Sequence, residues 1–202
     1  IHTPFKEFMK FTLDDEIGRK LIDTLGQELF SASDSFQTFT ECMRLIQTNS
    51  DRFLEVRTYL SYSNMLRSLY EYYVGIFKLN DGNTRSLSSD EVDERMNQAA
   101  RNLINFYHPI ESLLNPNYPD SVPIEFGLEF RTIRNRISHA DHRRMQAESE
   151  RSEISVGEFF KKYHFFINKM ISHPQFSWDG EKYAGYEWSP VSEFTQVLRK
   201  NA

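Results

Sequence analysis

The chain has 202 residues, of which 39% are hydrophobic and 26% charged, with 8 Gly and 7 Pro; this is enough for one domain with a core of its own, and it excludes a disordered or fibrous protein. A formal net charge of −5 excludes a protein that coats nucleic acid non-specifically, because such proteins carry the excess of Lys and Arg needed to neutralise many phosphates. Cys42 is the only cysteine, which rules out an intrachain disulfide and a thiolate zinc cluster and fits a reducing compartment. No run approaches the roughly 20 apolar residues of a membrane span, and no secretory layout opens the chain, so a soluble, cytoplasmic protein with no membrane partner is expected. A start at Ile1 in place of Met is compatible with a piece trimmed from a longer protein.

In chain order, Thr12 precedes apolar positions Ile17, Leu21, Leu25 and Leu29 at helical spacing, which predicts a first helix. Ser33 and Asp34 offer a new cap ahead of Phe36, Phe39, Met43 and Ile46, which predicts a second. From Phe53 to about Leu79 there is no Pro, and Val56, Leu60, Ser63, Leu66, Tyr70, Tyr73 and Phe77 trace a seam, which predicts a long central helix. Residues 80–88 read as a loop, and Ser88-x-x-Glu91 as a capping box for a helix carrying Val92, Met96, Ala99, Leu103 and Phe106 that Pro109 should kink or end. After a loop over 115–120, Ser121 and Pro123 can open a helix with the buried stripe Phe126, Phe130, Ile133, Ile137 and Ala140. Residues 143–155 read as an exposed polar connection, and Val156 to Ile171 as an aromatic-rich helix. Residues 174–190, with Trp178, Asp179-Gly180, Tyr183, Gly185, Tyr186 and Trp188, read as an irregular packed loop before a short helix from Val191. There is no internal repeat. The expectation is an all-α helical bundle of about six helices with an irregular Trp-containing C-terminal segment, forming a single domain over residues 1–202.

The stretch Arg134-Asn135-Arg136-Ile137-Ser138-His139 falls on the helix with the buried stripe. Residues four apart share a helix face, so Asn135 sits beside His139, Arg131 and His142 extend that polar row, and Arg134 pairs with Ser138. Arg134 and His139 are five apart and diverge. Either the long Arg side chain bridges the gap or the two belong to different copies of a site, and two antiparallel copies of this helix at a twofold axis would gather two Arg, two Asn and two His around one groove.

Such a groove suits metal-free RNA cleavage, in which the ribose 2′-hydroxyl attacks the adjacent phosphorus and leaves 2′,3′-cyclic phosphate and 5′-hydroxyl ends. Histidine, with an ordinary pKa of about 6.5, is the natural general acid/base. Arginine remains charged and can hold a phosphate through two hydrogen bonds while charge grows on its oxygens. Asn135 can orient His139 or a phosphate oxygen, and Arg131, Arg136, Ser138 and His142 are candidates for holding substrate. The five Arg between residues 131 and 144 supply a local positive field that the acidic whole lacks. Spacing alone between Arg and His carries little information in a chain with 15 Arg; Asn135 directly after the Arg and the apolar stripe opposite give it specificity.

Arg-Asn-x-x-x-His late in a helical bundle resembles the signature of the HEPN superfamily. The resemblance covers about residues 53–172 and leaves the N-terminal helices over 12–50 and the tail over 174–202 as additions. It implies a dimer formed through the signature helix, frequent endoribonuclease activity in toxin–antitoxin or antiviral defence systems, and an antitoxin or activating partner. Arg134, His139 and Asn135 would be its catalytic residues, with no cofactor. Where one toxin branch has Tyr two residues after the His, this chain has Asp141, so control by nucleotide transfer onto that tyrosine does not carry over. Other members are non-catalytic modules that act through a protein or nucleotide partner, and this is the alternative function.

Blander readings stand beside these. Arg134 and His139 can be a solvated or inter-helix polar pair that ends a helix. His139 and His142 around Asp141 lack a third ligand, so no metal is expected. Glu129 can tune an acid or simply be solvated, and His108 and His164 are expected as packed core-edge residues. The Tyr and Phe stripe over 59–77 is expected as core and not as a base-stacking platform. Trp178 and Trp188 can mark a partner surface or pack over the bundle end.

Overall fold

A computed structural model describes residues 16–48, 51–82, 86–138, 153–177 and 189–200. The fold is an all-α bundle, with six helices among those residues: α1 (Glu16–Ile46), α2 (Arg52–Asp81), α3 (Ser89–Leu114), α4 (Phe126–Ser138), α5 (Val156–Ser177) and α6 (Ser189–Lys200).

α1 corrects the prediction of two helices. Ser33 does not start a new element, because its hydroxyl donates back to the Leu29 carbonyl at 2.7 Å inside the same helix, as Thr40 does to Phe36 at 2.9 Å. Leu25, Leu29, Ala32, Phe39 and Cys42 are buried on both sides of the supposed break, and an uninterrupted apolar stripe overrides one potential cap. α2 returns antiparallel to α1: Gly75 lies against Leu25, Ser68 donates to Ser31 at 3.0 Å, and the rings of Tyr62 and Phe39 meet at 4.8 Å.

α2 starts at the Asp51 cap, whose carboxylate accepts from Phe53 N at 2.9 Å, and stops at Gly82, which takes the left-handed conformation (φ 66°) that glycine adopts without a side-chain clash. Its buried run begins only at Ser61. Val56 and Leu60, predicted in the seam, are exposed along with Phe53 and Leu45 near the α1–α2 turn, because α5 meets the hairpin farther along, at Phe39 and Tyr62.

α3 opens at Ser88, whose hydroxyl accepts from Glu91 N at 3.3 Å. It runs through Pro109 to Leu114, so Pro109 does not end it; Pro109 and Asn105, whose carbonyl loses its intrahelical partner there, are both exposed, where water can take that bond. The buried face is Val92, Met96, Ala100, Leu103 and Ile104, and the predicted core position Phe106 is 67% exposed.

The predicted start of α4 at Ser121–Pro123 is also corrected. Phe126 is the first helical residue, and Asn97 of α3 fixes the entry by donating to Ile124 O at 2.8 Å and accepting from Gly127 N at 2.9 Å. α5 begins with a reciprocal cap in which Ser155 Oγ accepts from Glu158 N at 3.0 Å and Glu158 Oε2 accepts from Ser155 N at 2.7 Å. Ser155 is therefore buried and not part of an exposed connection. α5 passes Pro174 and ends at Ser177, beyond the predicted Ile171. The predictions for Ala140, for residues 143–152 and for the segment holding Trp178 and Trp188 lie outside the described residues.

The core is aromatic. Phe126, Phe130, Phe159 and Tyr163 are fully buried where α4 crosses antiparallel to α5, with ring centroids 5.2 Å apart for Phe126 and Tyr163 and 5.6 Å for Phe130 and Phe159. Of the Tyr and Phe stripe predicted as core over 59–77, Tyr62, Tyr70, Tyr72, Tyr73 and Phe77 are buried, whereas Tyr59 is exposed. Tyr73 donates to Met170 O at 2.9 Å and Tyr118 to Ile104 O at 3.0 Å, so these hydroxyls enter the core with partners.

Candidate functional site

The apolar face of α4 is turned into the core. Phe126, Phe130 and Ile133 have no exposed surface, and Ile137 packs against the same core, which pins the helix axis and sends the Arg side chains around the flanks toward α2, α3 and residue 154.

Arg134 reaches α2. Its Nε donates to Glu71 Oε1 at 2.6 Å and its Nη2 donates to the same oxygen, while its Nη1 donates to Asn135 Oδ1 at 2.9 Å. The guanidinium carbon stands 5.5 Å from the centre of the Tyr70 ring, within cation–π range. Tyr70 in turn packs edge-on to Phe130 at 5.3 Å, and burial, then the charge of Asp93, pushes its hydroxyl up to about 12, so it remains a neutral surface under the guanidinium. Arg134 and Glu71 keep 30% and 34% of their side-chain surface exposed.

The other predicted residues divide. Arg131 makes a two-pronged bridge to Asp93 of α3, Nε to Oδ1 and Nη2 to Oδ2, both at 2.8 Å, and these bonds hold its pKa above the ordinary value. Arg136 donates Nη1 to Ile154 O at 2.9 Å and ties the end of α4 to the entry of α5. Ser138 is exposed at the last position of α4. Asn135 has Arg134 as its hydrogen-bond partner. His139 and His142 lie outside the described residues. Arg134 and Asn135 are thus brought together, whereas Arg131 and Arg136 point to different neighbours.

Glu71 and Asp93 were not candidates on sequence grounds. Glu71 carries a readable signal, since it is the only acidic residue between positions 56 and 80, in the middle of the buried run of α2. Its charge extends to Glu28 of α1, whose carboxyl is held above the usual range by burial, lowered in part by a hydrogen bond with Ser68 and raised again by Glu71.

Glu129 is no solvated bystander: it accepts from Tyr163 Oη at 2.5 Å and from Lys162 Nζ at 3.0 Å, giving the buried tyrosine its partner. His164 packs among Phe36, Phe39, Tyr62 and Phe160, and His108 stands over Tyr118 with Asp120 3.3 Å from its Nε2; both are core-edge residues. Among the described residues no group of three His, Cys, Asp or Glu is placed to hold a metal ion, and no helix is long and apolar enough to cross a membrane. No known protein family, curated protein or solved structure matches the chain.

Proposed function

We propose that the chain is a metal-independent endoribonuclease of HEPN type, acting as a homodimer through α4 in a toxin–antitoxin or antiviral setting, with an antitoxin or activating partner. Arg134 would hold the scissile phosphate, His139 would move protons to and from the 2′-oxygen and the leaving 5′-oxygen, and Asn135 would steady Arg134. The observation that carries this reading is the state of Arg134: a guanidinium lying over an aromatic ring, gripped by two neighbours, yet almost a third exposed. That is a cation fixed in direction before any anion arrives, the arrangement that stabilises charge developing on a phosphate. A fixed Arg on α4 also suits a dimer, in which the His of one copy would serve the Arg of the other.

Incubation of the purified chain with mixed RNA in EDTA tests the reading. Cleavage to 2′,3′-cyclic phosphate ends is expected, and loss by at least about 100-fold in Arg134→Ala and in His139→Ala with folding intact. Cleavage unchanged in both variants overturns the assignment.

A second reading is a non-catalytic helical module that works through a protein or nucleotide partner. The ion pair itself favours it, because an Arg already bound to Glu71 can serve simply as a strut between α2 and α4. An intact, dimeric chain that binds RNA no better than its Arg134→Ala variant and cleaves none is its expected signature.

A further inference from the structure

Arginine has five N–H donors, one on Nε and two on each terminal nitrogen. In Arg134 the Nε donor and one Nη2 donor converge on Glu71 Oε1, and one Nη1 donor goes to Asn135 Oδ1. One N–H on each terminal nitrogen is left over, and two is the number a phosphate takes from an arginine. The three bonds come from two helices, α2 and α4, and the Tyr70 ring supports one face of the guanidinium. A long side chain with many rotamers is thereby held in one direction.

We propose that Glu71 is the positioning residue for Arg134: from α2 it grips the Nε side of the guanidinium and turns the remaining terminal N–H donors toward the RNA phosphate. This rests on the ribonuclease reading above and deepens it by adding a residue outside the motif, 63 positions earlier in the chain. The carboxylate has two effects of opposite sign. It orders the arginine, which favours binding, and it offsets the arginine charge, which weakens attraction for an anion. Ordering wins for the short-range contact, because a phosphate bound to a wandering guanidinium loses alignment with the attacking 2′-oxygen, and misplacement by about 1 Å can cost about 100-fold in rate. The offset charge matters more for long-range attraction, which salt screens over about 8 Å.

The test uses the full chain with three substitutions, Arg134→Ala, Glu71→Ala and Glu71→Gln, each followed for cleavage of an RNA oligonucleotide in EDTA and for binding of the same sequence as a non-cleavable 2′-O-methyl oligonucleotide. Glu71→Gln retains a side-chain oxygen that can accept from Nε and Nη2. Expected are a fall of about 100-fold in kcat/KM for Glu71→Ala, carried mainly by kcat, and substantial rescue by Glu71→Gln, with both variants melting cooperatively. Glu71→Ala cleaving as fast as the native chain, or faster, overturns the positioning role while Arg134→Ala remains inactive. Glu71→Gln and Glu71→Ala losing activity equally, in step with their loss of melting temperature, also overturns it, since a strut alone would do that. If Arg134→Ala itself cleaves like the native chain, the ribonuclease site is misassigned whatever Glu71 does. A native chain that neither binds nor cleaves overturns both.

Discussion

Arg131 and Arg134 sit one turn apart on α4 and both meet a carboxylate, yet the two regions they occupy differ. Toward α3, Arg131 and Asp93 match donor to oxygen, two bonds of 2.8 Å on two oxygens, with only 24% and 14% of their side chains exposed. Toward α2, Arg134 brings two donors onto a single oxygen of Glu71, adds Asn135, and leaves both partners near one-third exposed. The first pair is a closed joint that holds helices together. The second is a held cation at an open edge. On one helix, carbon-for-carbon identical side chains are thus separated into structure and candidate chemistry by what the opposite helix presents.

The largest expected effect lies on the closed side. At Gly127 an added Cβ would stand 2.1 Å from the Asp93 carbonyl oxygen, a backbone atom that moves only if α3 and α4 separate. Gly127→Ala should therefore cost about 3 kcal/mol or more, read from the urea midpoint. At Gly75 the nearest atom to an added Cβ is Leu25 Cδ2 at 2.3 Å, the far end of a side chain with other rotamers, so Gly75→Ala should cost less, about 1 kcal/mol. Equal costs at the two glycines would mean that the α3–α4 approach is not the tight joint described.

Next comes Arg131→Ala, which removes a two-pronged bridge and leaves the half-buried Asp93 without it. A loss of about 2 kcal/mol in stability is expected, with the specific cleavage rate of the folded protein unchanged. If Arg131→Ala abolishes cleavage at full stability, the division between the two arginines fails and Arg131 belongs to the site.

The fold was largely legible because apolar period and capping are local. Ser88 with Glu91, the Tyr-rich run of α2 and the stripe Phe126, Phe130, Ile133 all follow from residues within a few turns of one another. Departures arise where a local signal has two readings or where a distant residue decides. Ser33 has the chemistry of a cap, but its hydroxyl bonds Leu29 inside the same helix, and the start of α4 depends on Asn97, some 30 positions away. Ser155 and Glu158 form a capping box as clear as that of Ser88, hidden in a polar run that reads as loop. In the site, the motif points to Arg134 and Asn135, but whether an arginine is strut or clamp depends on Glu71 and Asp93, which come from α2 and α3 and leave no trace in the spacing of α4. A lone acid within an otherwise buried helical run is the signal that would have picked out Glu71.

The smallest effect concerns acid, and it separates the α1–α2–α5 end from the α4 edge. Burial lowers the pKa of His164, packed between Phe36, Phe39 and Phe160 with its Nδ1 3.3 Å from Tyr62 Oη, and also that of His173, beside Tyr107. In the unfolded chain both would titrate near 6.5. Between the lowered folded values and that point the unfolded state binds more protons, so stability must rise with pH there and level off above about 6.5. Urea midpoints should therefore fall as pH drops from about 7.5 to about 5, and His164→Phe, which keeps an aromatic ring in the cluster, should reduce that slope without removing it, since His173 remains. Arg134→Ala should leave the contribution of these two histidines in place, because each is held by an aromatic cluster that does not include Arg134. A slope that vanishes in Arg134→Ala and persists in His164→Phe would move the acid-sensitive element to α4 and make the open edge, and not the aromatic end, the part of the bundle that yields first.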